Sequence, residues 1–505
     1  MLKIFSRDVT KLLALEGLKE AVATKEDSII FESQEVALSR ENRFSLFLCQ
    51  GTLKLTEERG GGATLTNLET NEVQTRPDGF KVLDEILASY NEDKIIKGDG
   101  KAEAVQTFAG GWAGFISYDR QQHLPKKIPT YFKGDDYIGL PLLYFVFYPE
   151  AVVYDKLDGS LTALSCRSEA KLETYLKYLT QLIQETELKK SQLSKDISAV
   201  EAKSVKSAAK AQLHTSISES GYLTGLEAVH EAIRRGQVYQ INYTQRFTVP
   251  LHQTPFALFK RLEKSNPAPY AAFMNMGDTH IVSSSPECFI KVAPIEPKQS
   301  SEPIAPNTLM PSAVEREIVT RPIKGTIKRT LNEAQDRVLA QELAQSAKDR
   351  SELLMIVDLE RNDLGRISAF GSVKVPELFK IEAYPTLYHL VSEVRGVLNP
   401  GLTWTQILEA VFPGGSITGA PKLAAMECIA ALEQVPRELY TGSIGFISIS
   451  GAAKFNIVIR TVICKGHQAW YSAGGGIVWD SDPKSEYAES LLKGKALWEA
   501  LSCID

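Results

Sequence analysis

Residues Ala469–Leu501 read AWYSAGGGIVWDSDPKSEYAESLLKGKALWEAL, and their reading decides the fold class. The first part, AWYSAGGGIV, carries aromatic and small apolar residues up to the turn signal DSDP, which predicts a strand. The second part, EYAESLLKGKALWEAL, brings apolar residues back at helical intervals and predicts a long helix. The same mixture recurs upstream: helices ELLMIVDLERNDLG and KLAAMECIAALEQV lie among strands GSIGFISIS and FNIVIRTVICKG. Strands and helices intermixed in this way predict an α+β fold. Residues 1 to about 185 alternate short strand-like runs (SIIFES, SLFLCQGTLKL, LPLLYFVFYPEAVVYD, SLTAL) with turn residues and finish in the helix SEAKLETYLKYLTQLIQETEL. The stretch KKSQLSKDISAVEAKSVKSAAKAQLHTS is rich in Lys, Ser and Ala and predicts an exposed connector. These readings divide the chain into an N-terminal domain 1–187, a linker 188–216 and a C-terminal domain 217–505. A polar, Pro-rich interruption over 293–320 separates ECFIKV from TRPIKGT, where a hairpin loop is expected, and reads as a mobile insertion.

Composition narrows the function classes. Hydrophobic residues make up 44% and charged residues 24% of the 505-residue chain, the usage of a soluble globular protein. No apolar run approaches the length that crosses a bilayer. The start, MLKIFSRDVTKLLALEGLKEAV, has no uninterrupted apolar segment before a small-residue cleavage site, which argues against secretion. Six cysteines without a CxxC pair fit buried thiols in a reducing, cytoplasmic compartment better than disulfides or a zinc site. A net charge of −5 lacks the basic footprint of a nucleic-acid binder, though it permits a local basic pocket for a small anion.

Several patterns carry possible chemistry. On the C-terminal helix Glu486, Glu489 and Lys493 stand three and four residues apart, hence on one face. Two carboxylates pointing together suit Mg²⁺, but from this helix alone an exposed face with a Glu-to-Lys pair is the favoured explanation of the spacing. The glycine run Gly474–Gly476 brings backbone N–H groups near that helix, in a turn able to hold a carboxylate. In RSELLMIVDLERNDLGR, Glu352 precedes an apolar stripe. Ion pairing and capping account for the charged end DLERNDLGR, and the helical pattern alone does not make Glu352 a ligand. Lys324 in TRPIKGTIKR lies beside Gly325 and Thr326. A lysine in an apolar pocket loses its proton readily and becomes a nucleophile, whereas most lysines are simply solvated.

Taken together and in order, GQVYQINYTQRF, SSSPECF, PIKGT, ELLMIVDLERNDLGR, YHLVSEV, GGSITGAPK, FNIVIRT and AGGGIVWDSDPKSEYAE resemble the chorismate-utilising enzymes. These include anthranilate synthase component I, aminodeoxychorismate synthase component I, and the isochorismate and salicylate synthases. The resemblance is dense over 217–505 and looser, through GGWAGFISYD, before 185. It implies the fold of anthranilate synthase component I, large antiparallel sheets packed as a sandwich with helices outside.

Position by position, the resemblance implies Glu352 and Glu489 as Mg²⁺ ligands, with Glu486 contributing beside them. It places substrate contacts at Arg460, Tyr440, Lys493, Gly474 and Gly476, with the ring carboxylate near Gly325, Thr326 and Thr418. His389 matches a histidine near the leaving or entering group, and a buried structural histidine is the competing reading. Salicylate and isochorismate synthases carry a water-activating lysine where this chain has Gln240, and a neutral amide cannot take that proton. Anthranilate synthases typically read PIAGT where this chain reads PIKGT, so Lys324 marks the aminodeoxychorismate synthase branch. The implied reaction replaces the C4 hydroxyl of chorismate with an amino group. Glu287 acts as the proton donor and Lys324 as a covalent nucleophile, without loss of pyruvate. Ammonia is expected from a separate glutamine amidotransferase subunit, because no glutaminase-like cysteine elbow is present. The segment IIFES resembles the tryptophan-binding region of anthranilate synthases, which makes Glu32 and Ser33 candidate contacts. A strand end with polar neighbours explains them equally well.

Overall fold

The computed structural model describes residues 2–33, 43–90, 94–123, 138–200, 213–295, 309–310, 315–384 and 387–502. Two large sheets dominate, one of 14 strands and one of 12. Their ladders are antiparallel except where Leu2–Asp8 runs parallel to Lys94–Gly98. The α+β sandwich expected from the sequence is the observed architecture.

Burial shows how the layers stack. Strand Leu143–Tyr148, LYFVFY, is buried at every position, as a strand covered on both faces must be. Its side chains alternate between two cores. Tyr144, Val146 and Tyr148 meet Leu46, Leu48, Ala272, Met274 and Ile281 of the other sheet. Phe145 and Phe147 instead face outward with Trp112 and Phe455, under helices that contribute Val82, Leu83, Leu353, Val357 and Ile407. The larger sheet repeats the pattern: Ile30, Phe47, Phe273 and Val282 pack against helices carrying Leu18, Val22, Leu179, Leu258 and Leu497. The order across the molecule is therefore helices, sheet, sheet, helices.

The expected division at 188–216 does not divide the sheets. Tyr270–Asn275 pairs with Ser28–Glu32 in the larger sheet, and Ser443–Ser448 pairs with Gly111–Ile116 in the smaller. Both halves of the chain thus share both sheets along two seams. The first part of the linker is also helical, because the helix starting at Glu169 continues to Val200. Lys, Ser and Ala mark exposure, and Lys and Ala are good helix formers, so the polar composition signalled a solvated surface and not coil. Residues 201–212 lie outside the described residues. The interruption at 293–320 is shorter than expected. Strand Cys288–Pro294 and strand Arg316–Arg321 pair antiparallel across it, and Leu309–Met310 adds an edge strand beside Lys94–Gly98. Its remainder, 296–308 and 311–314, lies outside the described residues.

One expected strand is two. FNIVIRTVICKG splits into Ala453–Asn456 in the smaller sheet and Thr461–Lys465 in the larger. The intervening residues cross between the sheets, and Arg460 takes the left-handed conformation there (φ 49°), rare for a side-chain-bearing residue. A second crossing runs alongside, from Thr279–Ser285 in the larger sheet to Cys288–Pro294 in the smaller. The two crossings are bonded together: Ser284 N–H donates to the Arg460 carbonyl (3.0 Å) and Ile457 N–H to the Glu287 carbonyl (3.0 Å). Glu287 and Arg460 therefore stand where the chain leaves one sheet for the other.

Candidate active site

Lys324 lies on Ile323–Lys328, which ends the smaller sheet. Its pairing with Leu387–Val397 slips by one residue: Lys324 opposes Leu390, and Thr326 opposes His389. Gly325 is the extra residue, at φ +70°, and a Cβ there would stand 2.8 Å from both Asp349 and Leu343. The KGT sequence is thus a glycine-dependent bulge, a device that re-aims a side chain. It delivers two results. The Thr326 hydroxyl meets His389 Nδ1 at 2.8 Å, and the Lys324 amine turns toward Glu352, with Nζ 4.0 Å from Oε2.

Glu352 comes from the helix Ala347–Gly365, whose first turn is held by the Ser346 hydroxyl accepting from Asp349 N–H. The helix buries Glu352, Ile356, Glu360 and Asp363 along one face. Its charged end is largely structural, as the sequence suggested. Asp358 pairs with Arg361 at the surface (3.0 Å), Asp363 with Lys422 (2.5 Å), and buried Glu360 accepts from Thr320 (3.1 Å).

The glycine run behaves differently from the expected turn. Gly474, Gly475 and Gly476 stay in strand Gln468–Ile477, opposite Thr244, Tyr243 and Asn242. What they supply is space. A Cβ on Gly475 would lie 3.0 Å from Glu486 Oε2, and one on Gly476 would lie 2.4 Å from Gln240 Nε2 and 3.2 Å from Lys324 Nζ. Gln240 is fully buried, and neither its amide nitrogen nor its amide oxygen has a hydrogen-bond partner. A buried amide without partners is costly and suits contact with a ligand.

On the C-terminal helix the three one-face residues separate. Glu486 is buried and accepts from the Ser481 hydroxyl (2.7 Å). Glu489 is 45% exposed and bound by Lys493 (2.7 Å), whose amine also donates to the Gly474 carbonyl (3.1 Å). The surface pair that the spacing allowed is therefore present, alongside an inward carboxylate. Lys348 joins the cluster: its Nζ is 3.5 Å from Glu486 Oε1 and 4.0 Å from Glu352 Oε1. Sequence reasoning missed it, although its place four residues before Glu352 on one helix was the available signal.

Two carboxylates from separate helices that already share one ammonium form a hard-oxygen pair suited to Mg²⁺. That ion takes one or two protein carboxylates and completes its shell with water and substrate oxygens. Among the described residues no group of three His, Cys, Asp or Glu converges to hold a metal unaided.

Electrostatics differ sharply within the cluster. Burial pulls the Lys324 ammonium below the usual lysine range and Lys493 adds to the effect, against the opposing pull of Glu352, Glu287 and Glu489. Burial pushes the Glu287 carboxyl up to about 7, with Ser416 and Lys324 offsetting only part. Burial, then the charge of Arg460, lowers His389 to about 3, so its ring is neutral at physiological pH. Arg460 is itself lowered by burial. Tyr440 is buried near Arg437, which is held by Glu433 (2.7 Å). The Thr418 hydroxyl is engaged by the Gly414 carbonyl (3.0 Å), and its own carbonyl accepts from Asn242 N–H (2.9 Å). Glu32 and Ser33 belong to another place. Glu32 is bound by Lys19 (2.5 Å), while its second oxygen and the buried Ser33 hydroxyl have no partner.

The inward Lys324 amine, the partnerless Gln240 amide and the Glu352–Glu486 pair thus form a candidate active site within a two-sheet sandwich. Residues 56–499 match the family described as chorismate binding enzymes, and the chain belongs to it. It is 33% identical over 490 residues to aminodeoxychorismate synthase component 1 of Bacillus subtilis, covering 94% of this chain and 95% of that protein. It is likewise 33% identical over 406 residues to anthranilate synthase component 1 of Pseudomonas aeruginosa, covering 78% and 75%. The crystal structure of anthranilate synthase component I from Streptococcus pneumoniae superimposes with a TM-score of 0.68 at 27% identity, covering 92% of this chain and 94% of that one.

Proposed function

We propose that this chain is the chorismate-aminating component of an aminodeoxychorismate synthase, converting chorismate and ammonia to 4-amino-4-deoxychorismate, the precursor of 4-aminobenzoate. The observation that carries the reading is the inward amine of Lys324, set by the Gly325 bulge 4.0 Å from Glu352 and beside the Gln240 amide. Glu352, Glu486 and Glu489 would hold Mg²⁺, which when bound draws electron density toward the ring carboxylate. Arg460 and Lys493, with the backbone around Gly474, Gly476, Gly325, Thr326 and Thr418, would hold the substrate's two carboxylates. Tyr440 would line the same pocket.

Glu287, with its affinity for protons raised toward neutrality, gives a proton to the departing C4 hydroxyl, which leaves as water. The Lys324 amine, whose burial eases the loss of its proton, forms a bond to C2 as the ring double bonds shift toward C4. Ammonia then bonds to C4, and the Lys324–C2 bond breaks to restore the diene, with Lys324 released as the free amine. His389, kept neutral and bonded to Thr326, would accept or donate a hydrogen bond at the exchanging group. Gln240 has no basic nitrogen with which to activate water, which favours amination over hydration. Ammonia would come from a glutamine amidotransferase partner, in keeping with the word component in the relatives' names. We place the chain in the cytoplasm, the reducing setting that scattered cysteines without a CxxC pair suggest; no described helix is long and apolar enough to cross a membrane.

The test is to incubate the chain with chorismate, Mg²⁺ and ammonium and identify the product by mass. The expected product keeps its enolpyruvyl group and becomes 4-aminobenzoate when the matching lyase is added. Anthranilate with released pyruvate would assign the chain to the other branch.

A further inference from the structure

We propose that Lys348 is a built-in counter-ion for the Glu352–Glu486 pair and gives up that place to a divalent cation, so that it sets how tightly metal is held before substrate arrives. The inference rests on the reading of these carboxylates, together with Glu489, as the groups that hold the metal. Its basis is the different company that each lysine of the cluster keeps. Lys493 is occupied by Glu489 at 2.7 Å and the Gly474 carbonyl at 3.1 Å. Lys324 faces Oε2 of Glu352. Lys348 alone bridges the two helices, with Nζ 4.0 Å from Oε1 of Glu352 and 3.5 Å from Oε1 of Glu486.

Both separations exceed a normal N–H···O bond, so the ammonium is held by charge and not locked by geometry. The anions and the cation also differ in freedom. The Glu352 and Glu486 side chains are 11% and 4% exposed, and Ser481 fixes Glu486. The Lys348 side chain is 53% exposed on a flexible stem, free to withdraw into water by rotating about its own bonds. A divalent cation between the same oxygens would stand within a few ångströms of the ammonium, where like charges in a half-buried site repel strongly. The two cations therefore exclude each other, and the movable one leaves. Before metal binds, the ammonium keeps two inward carboxylates from repelling each other across the helix interface.

The experiment is calorimetric titration of the full chain with Mn²⁺ in the absence of chorismate, for wild type, Lys348→Met, Lys348→Arg and Glu352→Gln. Removing the ammonium is expected to tighten Mn²⁺ binding roughly tenfold, while Lys348→Arg, which keeps the charge, stays within about twofold of wild type. Affinity that is unchanged or weaker in Lys348→Met, with thermal unfolding like wild type, would overturn the proposal. Wild-type chain that shows no Mn²⁺ binding dependent on Glu352 would overturn the metal reading and this inference with it. Tightening in Lys348→Met but not in Lys348→Arg supports both.

Discussion

Lys19 and Lys324 both turn inward in this fold, and their surroundings push them in opposite directions. Lys19 sits 2.5 Å from Glu32, 3.1 Å from Glu263 and 3.4 Å from Glu16. Burial opposes its charge, but Glu32 and Glu263 outweigh burial, and its affinity for protons rises above the usual lysine range. Lys324 has a single carboxylate at 4.0 Å, shares its surroundings with Lys493, and falls below that range. A closed ion-pair network keeps its lysine charged and unreactive, whereas loose pairing leaves an amine able to lose its proton and attack. Burial is common to both, so the number and closeness of carboxylates sets the opposite directions of the two lysines.

Substitutions at either place sharpen the contrast. Lys324→Ala is expected to lower amination by at least about a thousandfold, because no other amine replaces the covalent step. Mn²⁺ binding through Glu352 should survive, which calorimetry on the variant would check. Glu287→Gln should cost on the order of a hundredfold in kcat. Its pH profile carries the sharper signature. The proton on Glu287 is the active form, so wild-type kcat/KM should fall as pH rises through about 7, and that fall should be missing in Glu287→Gln.

A smaller effect is expected from Gly476→Ala, whose Cβ would press on the Gln240 amide at 2.4 Å and the Lys324 amine at 3.2 Å. Steady-state kinetics should show KM rising roughly tenfold with a lesser change in kcat. Lys19→Met should leave turnover per folded molecule unchanged. It should instead destabilise the fold by about 3 kcal/mol in denaturant unfolding, since two partly buried carboxylates lose their cation. Loss of turnover in that variant would break the division between the two lysines.

The sequence reveals one side of this division better than the other. The α+β class is legible because strand-like and helix-like patterns intermix along the chain, whereas the sandwich comes with the family resemblance; the fully buried strand LYFVFY agrees with it. Spacing also places Glu486 and Glu489 on one helix face. Spacing does not say which of them turns inward, since that depends on Gly475 leaving room beside Glu486. The two crossings between sheets escape sequence reading for a related reason. FNIVIRTVICKG reads as one β-branched run without a turn signal, and only the partners of each half show that the chain changes sheets at Arg460. Lys348 escapes as well, because an exposed lysine one turn from a glutamate is the commonest surface pair. Its significance comes from Glu486, which arrives from a helix more than 130 residues away. The Lys19 network draws on Glu16, Glu32 and Glu263 and is invisible for the same reason.

The central claim is that the Lys324 amine bonds to the substrate ring. Mixing the wild-type chain with chorismate and Mg²⁺ but no ammonium, then acquiring intact and peptide masses, tests it directly. The account predicts an adduct equal to chorismate less one water, located on the peptide that contains Lys324 and absent from Lys324→Ala. An adduct that persists in Lys324→Ala, or full amination activity in that variant, would contradict it.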